Sequence, residues 1–329
     1  PSLGTQKSVL VLKSESKKYV VGDRLLLHVK KWGEEEEPVL CEVLEKIGSI
    51  EDANTDTLFA IKDFKIRNTF PKSVIQAAES VPKKVRKKDL EDRTDLTHLE
   101  AFTIDPDTAK DFDDALSLSI DEQGNYSLGI HIADVSHYVT QGSINDEEAK
   151  KRYNSTYFPG CCIPMLPEAL SNELCSLRPN VIRLTVSVLV TLNPDGTILK
   201  SEIVKGFIKS RKRFTYKEAK DVLDKKIKSP YLSALELMKK LCLILKGHRN
   251  ERGSVDLALP ELSLQIDKKG NPYDYTINEY DITHQLVEEY MLKANEIVAK
   301  HFTDKKLPAL FRVHESPDKE NLEEFFLFL

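Results

Sequence analysis

From Thr103 to Leu116 the chain reads TIDPDTAKDFDDAL, which places five carboxylates within ten residues: Asp105, Asp107, Asp111, Asp113 and Asp114. Like charges at this density repel one another. A fold that contains them must spread them into solvent or gather them around a cation. Apolar Ile104, Phe112, Ala115 and Leu116 tie the segment to a core. An alternating pattern follows at once: Leu116, Leu118 and Ile120, a turn at EQGN, then Leu128, Ile130 and Ile132, which is the signature of a β-hairpin. Carboxylate oxygens are hard ligands of the kind Mg²⁺ or Mn²⁺ prefers. The segment is not an EF-hand loop, because the Gly and the terminal Glu are absent. On residue types alone, a metal centre and a solvated acidic turn both stay open.

The chain has 329 residues, 40% of them hydrophobic, enough for two domains or for one large domain with an appendage. The net charge of −5 gives no global sign of nucleic-acid binding, so any basic surface must be local. No apolar run of about 18 residues occurs, so no membrane partner is expected. The first residues do not follow the plan of a secretion signal. The five cysteines are odd in number and form no C-x-x-C pair, which points to reduced thiols in a cytoplasmic protein.

Three regions follow from the patterning. Residues 1–48 carry about three strands: Val9 and Val11 alternate with Leu10 and Leu12, Leu25, Leu27 and Val29 with their neighbours, and a third run spans Val39 to Leu44. That is too few for a closed barrel and reads as the end of a small one. Residues 49–97 read as a linker with short helices and a basic run, KKVRKK from Lys83 to Lys88. That run is either solvated linker or a contact for RNA phosphates. Residues 98–329 begin with hairpins, the second turning at Asn193 to Gly196. They become mostly helical after Thr215, where Thr215 and Glu218 form a capping box. Further helices are expected after Ser229–Pro230, from about Asp281 to Phe302, and after Ser316–Pro317. The fold class is therefore α+β. His131, flanked by apolar residues on its strand, reads as a hydrogen-bonded core histidine, and nothing around Cys161–Cys162 supports a cysteine nucleophile.

The acidic segment resembles the D-x5-D-x-D-D metal motif of the bacterial ribonuclease II/R (RNB) exoribonuclease family. GIHIADVSHYV (Gly129 to Val139), YFPGCCIPMLPEALSNELCSL (Tyr157 to Leu177), RFTYKEA (Arg213 to Ala219), RGSVDL (Arg252 to Leu257), HQLVEEYMLKAN (His284 to Asn295) and PALFRVHESP (Pro308 to Pro317) follow in the family's order. ADVSHYV and PALFR are nearer the ribonuclease R branch. The resemblance covers residues 98–329 and implies the N-terminal portion of an RNB catalytic domain. Residues 1–48 then resemble the end of a cold-shock, OB-type barrel.

The implied activity is hydrolysis of single-stranded RNA from its 3′ end to 5′-nucleoside monophosphates by a metal-activated water. By position, Asp105, Asp111, Asp113 and Asp114 take the family's metal roles with Mg²⁺ or Mn²⁺, and Asp113 and Asp114 its catalytic roles. Tyr157, Tyr216 and Glu288 match residues that contact the RNA end. Asp107 matches no ligand and is expected to be a surface carboxylate. Two departures qualify the match. The second stacking aromatic of ribonuclease II falls on Leu259 here, and the family's S-P-I-R-R-Y motif does not occur. That motif and the S1 domain would lie beyond Leu329, so a chain of this extent reads as truncated and is not expected to form the complete family site alone. Two other classes compete: a non-catalytic fragment that binds single-stranded RNA, and a different metal hydrolase acting on small nucleotides. A pure binder gains nothing from carboxylates that repel phosphate, and a barrel remnant favours a polynucleotide over a small nucleotide.

Overall fold

The computed structural model describes residues 8–11, 18–34, 37–255, 261–267, 269–313 and 315–328. Leu259 lies outside them.

The chain opens with three strands, β1 (Val9–Val11), β2 (Asp23–Lys31) and β3 (Val39–Ser49), in the order β1-β3-β2. β3 runs antiparallel to β2 and parallel to β1, and buries Val39 and Cys41. Two helices follow, α1 (Asn54–Asp63) and α2 (Lys72–Glu79). Ion pairs Arg24–Asp56 at 2.5 Å and Lys62–Glu45 at 2.7 Å tie α1 to the small sheet. The Lys83–Lys88 run is exposed apart from Val85, and Arg86 is held by Asp89 at 2.8 Å.

Seven strands then form the central sheet: β4 (Thr94–Asp95), β5 (Phe102–Asp105), β6 (Asp114–Ile120), β7 (Tyr126–Ala133), β10 (Ile182–Leu192), β11 (Ile198–Lys209) and β12 (Lys212–Thr215). Their spatial order is β12-β5-β6-β7-β10-β11-β4, with parallel pairs at the two edges. Between β7 and β10 the chain leaves the sheet through α3 (Val135–Tyr138), α4 (Ile144–Arg152), the short hairpin β8 (Thr156–Phe158) and β9 (Cys161–Ile163), and one π-helical turn at Ala169–Leu174. After β12 come α5 (Tyr216–Leu223), α6 (Leu232–Glu251), α7 (Ile282–Asp304) and α8 (Lys319–Phe328).

Strand alternation explains the two cores. Leu116, Leu118, Leu128, Ile130, Val188 and Val190 pack against α5, α6 and α7, with Leu235, Met238, Leu286 and Tyr290 facing them. Ala115, Ala133 and Ile208 line the opposite face, covered by Leu170, Leu174, Cys175 and Leu177. His131 sits fully buried on that face, bonded to Ser117 Oγ and Ser187 Oγ, each at 2.9 Å. The capping box expected at Thr215 and Glu218 is present. The chain after Thr215 is not helical throughout. β13 (Glu261–Ile266) and β14 (Pro272–Asn278) form an antiparallel ribbon, whose alternating Leu262, Leu264 and Ile266 carry a period-two pattern that the flanking helices obscure. Among the described residues no helix is long and apolar enough to cross a membrane.

Candidate active site

The acidic segment is strand, loop, strand. Asp105 is the last residue of β5 and Asp114 the first of β6, with Asp107, Asp111 and Asp113 between them. Asp105 is 8% exposed, Asp111 and Asp114 are half-buried, and Asp107 and Asp113 are exposed.

The loop is pinned from three sides. Arg213 Nη2, on β12, donates to the carbonyl oxygens of Pro106 and Asp107 at 2.5 and 3.2 Å. Its guanidinium lies over the Phe112 ring, 5.4 Å from the centroid. Ser176 Oγ accepts from the Phe112 N–H at 3.0 Å and donates to the Lys110 carbonyl at 2.9 Å, so one hydroxyl brackets Asp111. The Leu177 N–H donates to the Phe112 carbonyl at 2.8 Å, and the Ala133 N–H to that of Asp113 at 2.9 Å. Arg183 in turn donates to the Ser176 carbonyl at 2.9 Å.

These braces hold carboxylates where they resist ionisation. Burial pushes Asp114 up to about 7, with the charges of Asp105 and Asp113 adding. Burial raises Asp105 to about 6; the neighbouring Thr103 hydroxyl and then the Arg213 charge oppose the rise, and Asp113 and Asp111 add to it. Asp113, although solvent reaches it, is raised by its crowded surroundings and then by Asp111. The four expected ligands thus share one electrostatic field. Among the described residues, however, no three His, Cys, Asp or Glu side chains stand close enough together to hold a metal ion. Mutual repulsion opposes closure of such a set without a cation. The donor set nevertheless fits a divalent cation. It is all hard oxygen, and Asp105 Oδ2 is buried with no hydrogen-bond partner, a costly state that a cation would relieve.

Two tyrosines border this field. Tyr157, on β8 opposite Cys162 of β9, is 71% exposed. Its hydroxyl is raised by burial and then by Asp111. Tyr216 opens α5 directly after Thr215, which pairs with Asp105 across β12 and β5. Burial, Asp114 and Asp105 raise its hydroxyl to about 12. Glu288, on α7, accepts a hydrogen bond from the Tyr280 hydroxyl. Its connection to the aspartates is indirect: the Tyr280 ring is 6.0 Å from His284, which stacks on Tyr216.

Ser176, Arg213 and His284 are the residues that sequence reasoning missed. Each lay inside a quoted segment, but a lone hydroxyl, arginine or imidazole carries no local pattern that assigns it to a loop or ring so far away along the chain.

Residues 93–329 match the family profile of the RNB domain. Ribonuclease R of Chlamydia muridarum is 44% identical over 92% of this chain and 44% of the relative, and that of Chlamydia pneumoniae 42% identical over 98% and 48%. The chain thus spans less than half the length of either relative. The structure of Mycoplasma genitalium RNase R in complex with ribose-methylated single-stranded RNA superposes with a TM-score of 0.88 at 28% identity, over 96% of this chain and 50% of that one. With the profile match covering both the aspartate loop and the helices that border it, the chain belongs to the RNB domain family.

Proposed function

We propose that this chain carries the catalytic aspartates of a 3′-to-5′ exoribonuclease that hydrolyses single-stranded RNA to 5′-nucleoside monophosphates. The observation that carries this reading is the buried Asp105, with one oxygen unpartnered, in the same field as Asp111, Asp113 and Asp114. Such a group is costly as mere structure and useful as a ligand set. The RNA held by the M. genitalium relative supports the choice of substrate.

Asp105, Asp111, Asp113 and Asp114 would hold Mg²⁺, or Mn²⁺ in its place, which when bound lowers the pKa of an attacking water and stabilises the leaving 3′ oxygen. Asp113 and Asp114, where the loop enters β6, stand closest to the reaction in this reading. The exposed Tyr157 ring offers a face on which a base of the RNA end stacks. Tyr216 and Glu288 meet the terminal nucleotide from the helical side. Residues 1–48 form the end of a cold-shock, OB-type barrel in this reading, residues 49–97 the linker, and residues 98–329 the N-terminal part of the catalytic domain. The five free cysteines suit the reducing cytoplasm.

The test uses the complete natural protein and a single-stranded oligoribonucleotide labelled at its 5′ end. Stepwise shortening from the 3′ end, with 5′-monophosphates released only when Mg²⁺ or Mn²⁺ is supplied, is the expected result. Tight RNA binding without shortening would instead make the chain a binding module.

A further inference from the structure

Tyr216 stands beside the aspartates because its backbone does. Thr215 pairs with Asp105 across β12 and β5 and caps α5 by accepting from the Glu218 N–H at 2.9 Å. Backbone placement leaves a tyrosine ring two torsions to turn about. Here one face of the ring is covered by His284, with centroids 3.9 Å apart and planes within 12° of parallel.

His284 is fixed in its turn. Its Nδ1 lies 3.0 Å from Asp281 Oδ1 and 3.4 Å from the Asp281 backbone nitrogen, so Asp281 holds the ring in either tautomer. Asp281 caps α7, accepting from the Thr283 N–H at 2.9 Å and from the Thr283 hydroxyl at 2.6 Å. Lys220, on α5, stands 3.5 Å from the other Asp281 oxygen. The last turn of α5 is thus tied to the cap of α7 by Lys220, and its first turn by the Thr283 hydroxyl, 3.4 Å from the Tyr216 carbonyl oxygen; the imidazole covers one face of the Tyr216 ring. Tyr216 and His284 are both only half-buried, with Tyr216 packed against the edge of the core. A stacked pair held by an ion-paired cap at the border of a carboxylate centre has the form of an aiming device.

We propose that His284 is a positioning residue, which backs the Tyr216 ring and thereby aims its hydroxyl at the Asp105–Asp114 side of the centre. The inference rests on reading the aspartates as the site of RNA hydrolysis and Tyr216 as a contact for the 3′-terminal nucleotide. Without the imidazole the ring turns away, and the terminal nucleotide loses its register with the carboxylates. A misplacement of about 1 Å can cost on the order of 10²-fold in rate even when the change that causes it lies far from the chemistry. A ring that keeps its backbone anchor is displaced by less, and the expected loss is about tenfold in kcat. KM should move by less than about twofold, because stacking and phosphate contacts elsewhere hold the RNA.

The experiment compares His284→Ala, His284→Phe, Tyr216→Ala and the Tyr216→Ala/His284→Ala double variant of the complete natural protein. Mononucleotide release from a single-stranded oligoribonucleotide gives kcat and KM. Expected are a kcat loss for His284→Ala at nearly unchanged KM, and recovery by His284→Phe, which keeps the stack without the Asp281 bond. On the Tyr216→Ala background, His284→Ala should add nothing, since both act through one ring. Wild-type kcat in His284→Ala, failure of the phenylalanine to rescue, or multiplying losses in the double variant would each overturn the proposal. Should the alanine variant unfold, His284→Gln replaces it, keeping a partner for Asp281 while removing the ring. Full activity in Tyr216→Ala overturns the premise about Tyr216, and full activity in Asp113→Asn overturns the reading of the site itself. The two failures are therefore separable from a failure of His284 alone.

Discussion

Ser176 and Phe112 meet 64 residues apart in sequence, the Ser176 hydroxyl accepting the Phe112 N–H at 3.0 Å while donating to Lys110 on the other side of Asp111. One fully buried oxygen thereby fixes the loop that carries two of the four carboxylates. Ser176→Ala leaves a donor and an acceptor unmet, at a cost of about 1–3 kcal/mol in stability. We expect mononucleotide release to fall by about tenfold, because catalytic groups tolerate little displacement. Urea unfolding alongside activity, at a temperature where the variant is fully folded, separates the two losses. Activity at the wild-type level would mean that Leu177 and Ala133 suffice to hold the loop.

Asp113→Asn nearly preserves shape and removes one negative charge. The rate of RNA hydrolysis should drop by about 10²-fold or more, since the group orients the reacting centre. RNA affinity should hold or tighten slightly, because one charge repelling phosphate is gone. Filter binding and product release on the same preparation check both statements. A variant that cleaves normally sinks the catalytic assignment.

Tyr157→Ala should behave in the opposite way. Its ring is open to solvent on the β8–β9 hairpin, so its removal loses a stacking contact of about 1–3 kcal/mol. RNA affinity falls by that amount, and kcat at saturating RNA changes much less. Affinity equal to wild type for a short oligoribonucleotide would show that no base stacks there.

His131 makes stability depend on pH. Burial depresses it to about 4 in the folded protein, against about 6.5 in an unfolded chain. Between those values the unfolded chain holds a proton that the folded one does not, so stability is full above about 6.5 and falls as pH drops toward 4. The contribution is on the order of 3 kcal/mol at its limit. Denaturant unfolding from pH 7 to pH 4.5 should show a shallower loss for His131→Gln than for wild type. Parallel curves would show that the wild-type loss arises from other groups.

The local parts of this architecture were legible in the sequence and the distant parts were not. The aspartates announced themselves by density, the first hairpin by alternation, and α5 by its Thr215–Glu218 box, all signals contained within a few residues. α1 fell within the stretch expected to hold short helices but its bounds carried no signal, because only Thr55 and Ile61 of its ten residues are buried and ion pairs complete its tie to the small sheet. The β13–β14 ribbon was hidden by the long helices on either side. Ser176, Arg213 and His284 act on residues 64, 107 and 68 positions away, and no window of sequence contains both ends of such a contact.

The parallel pairing of β5 with β12 also sets an order of events during synthesis. Arg213 and Pro106 join across 107 residues, and Thr215 lies against Asp105 in the same pairing. Contacts so remote along the chain form late, since the intervening loop must first be closed at an entropic cost. A nascent chain that has emerged only as far as β11 already displays every aspartate, but neither the strand that flanks Asp105 nor the arginine that grips the loop. Stalled or proteolysed products of that length would be carboxylate-bearing chains that lack β12, Arg213 and the helices α5 to α7, so the acidic loop would be on display before the elements that brace and border it exist.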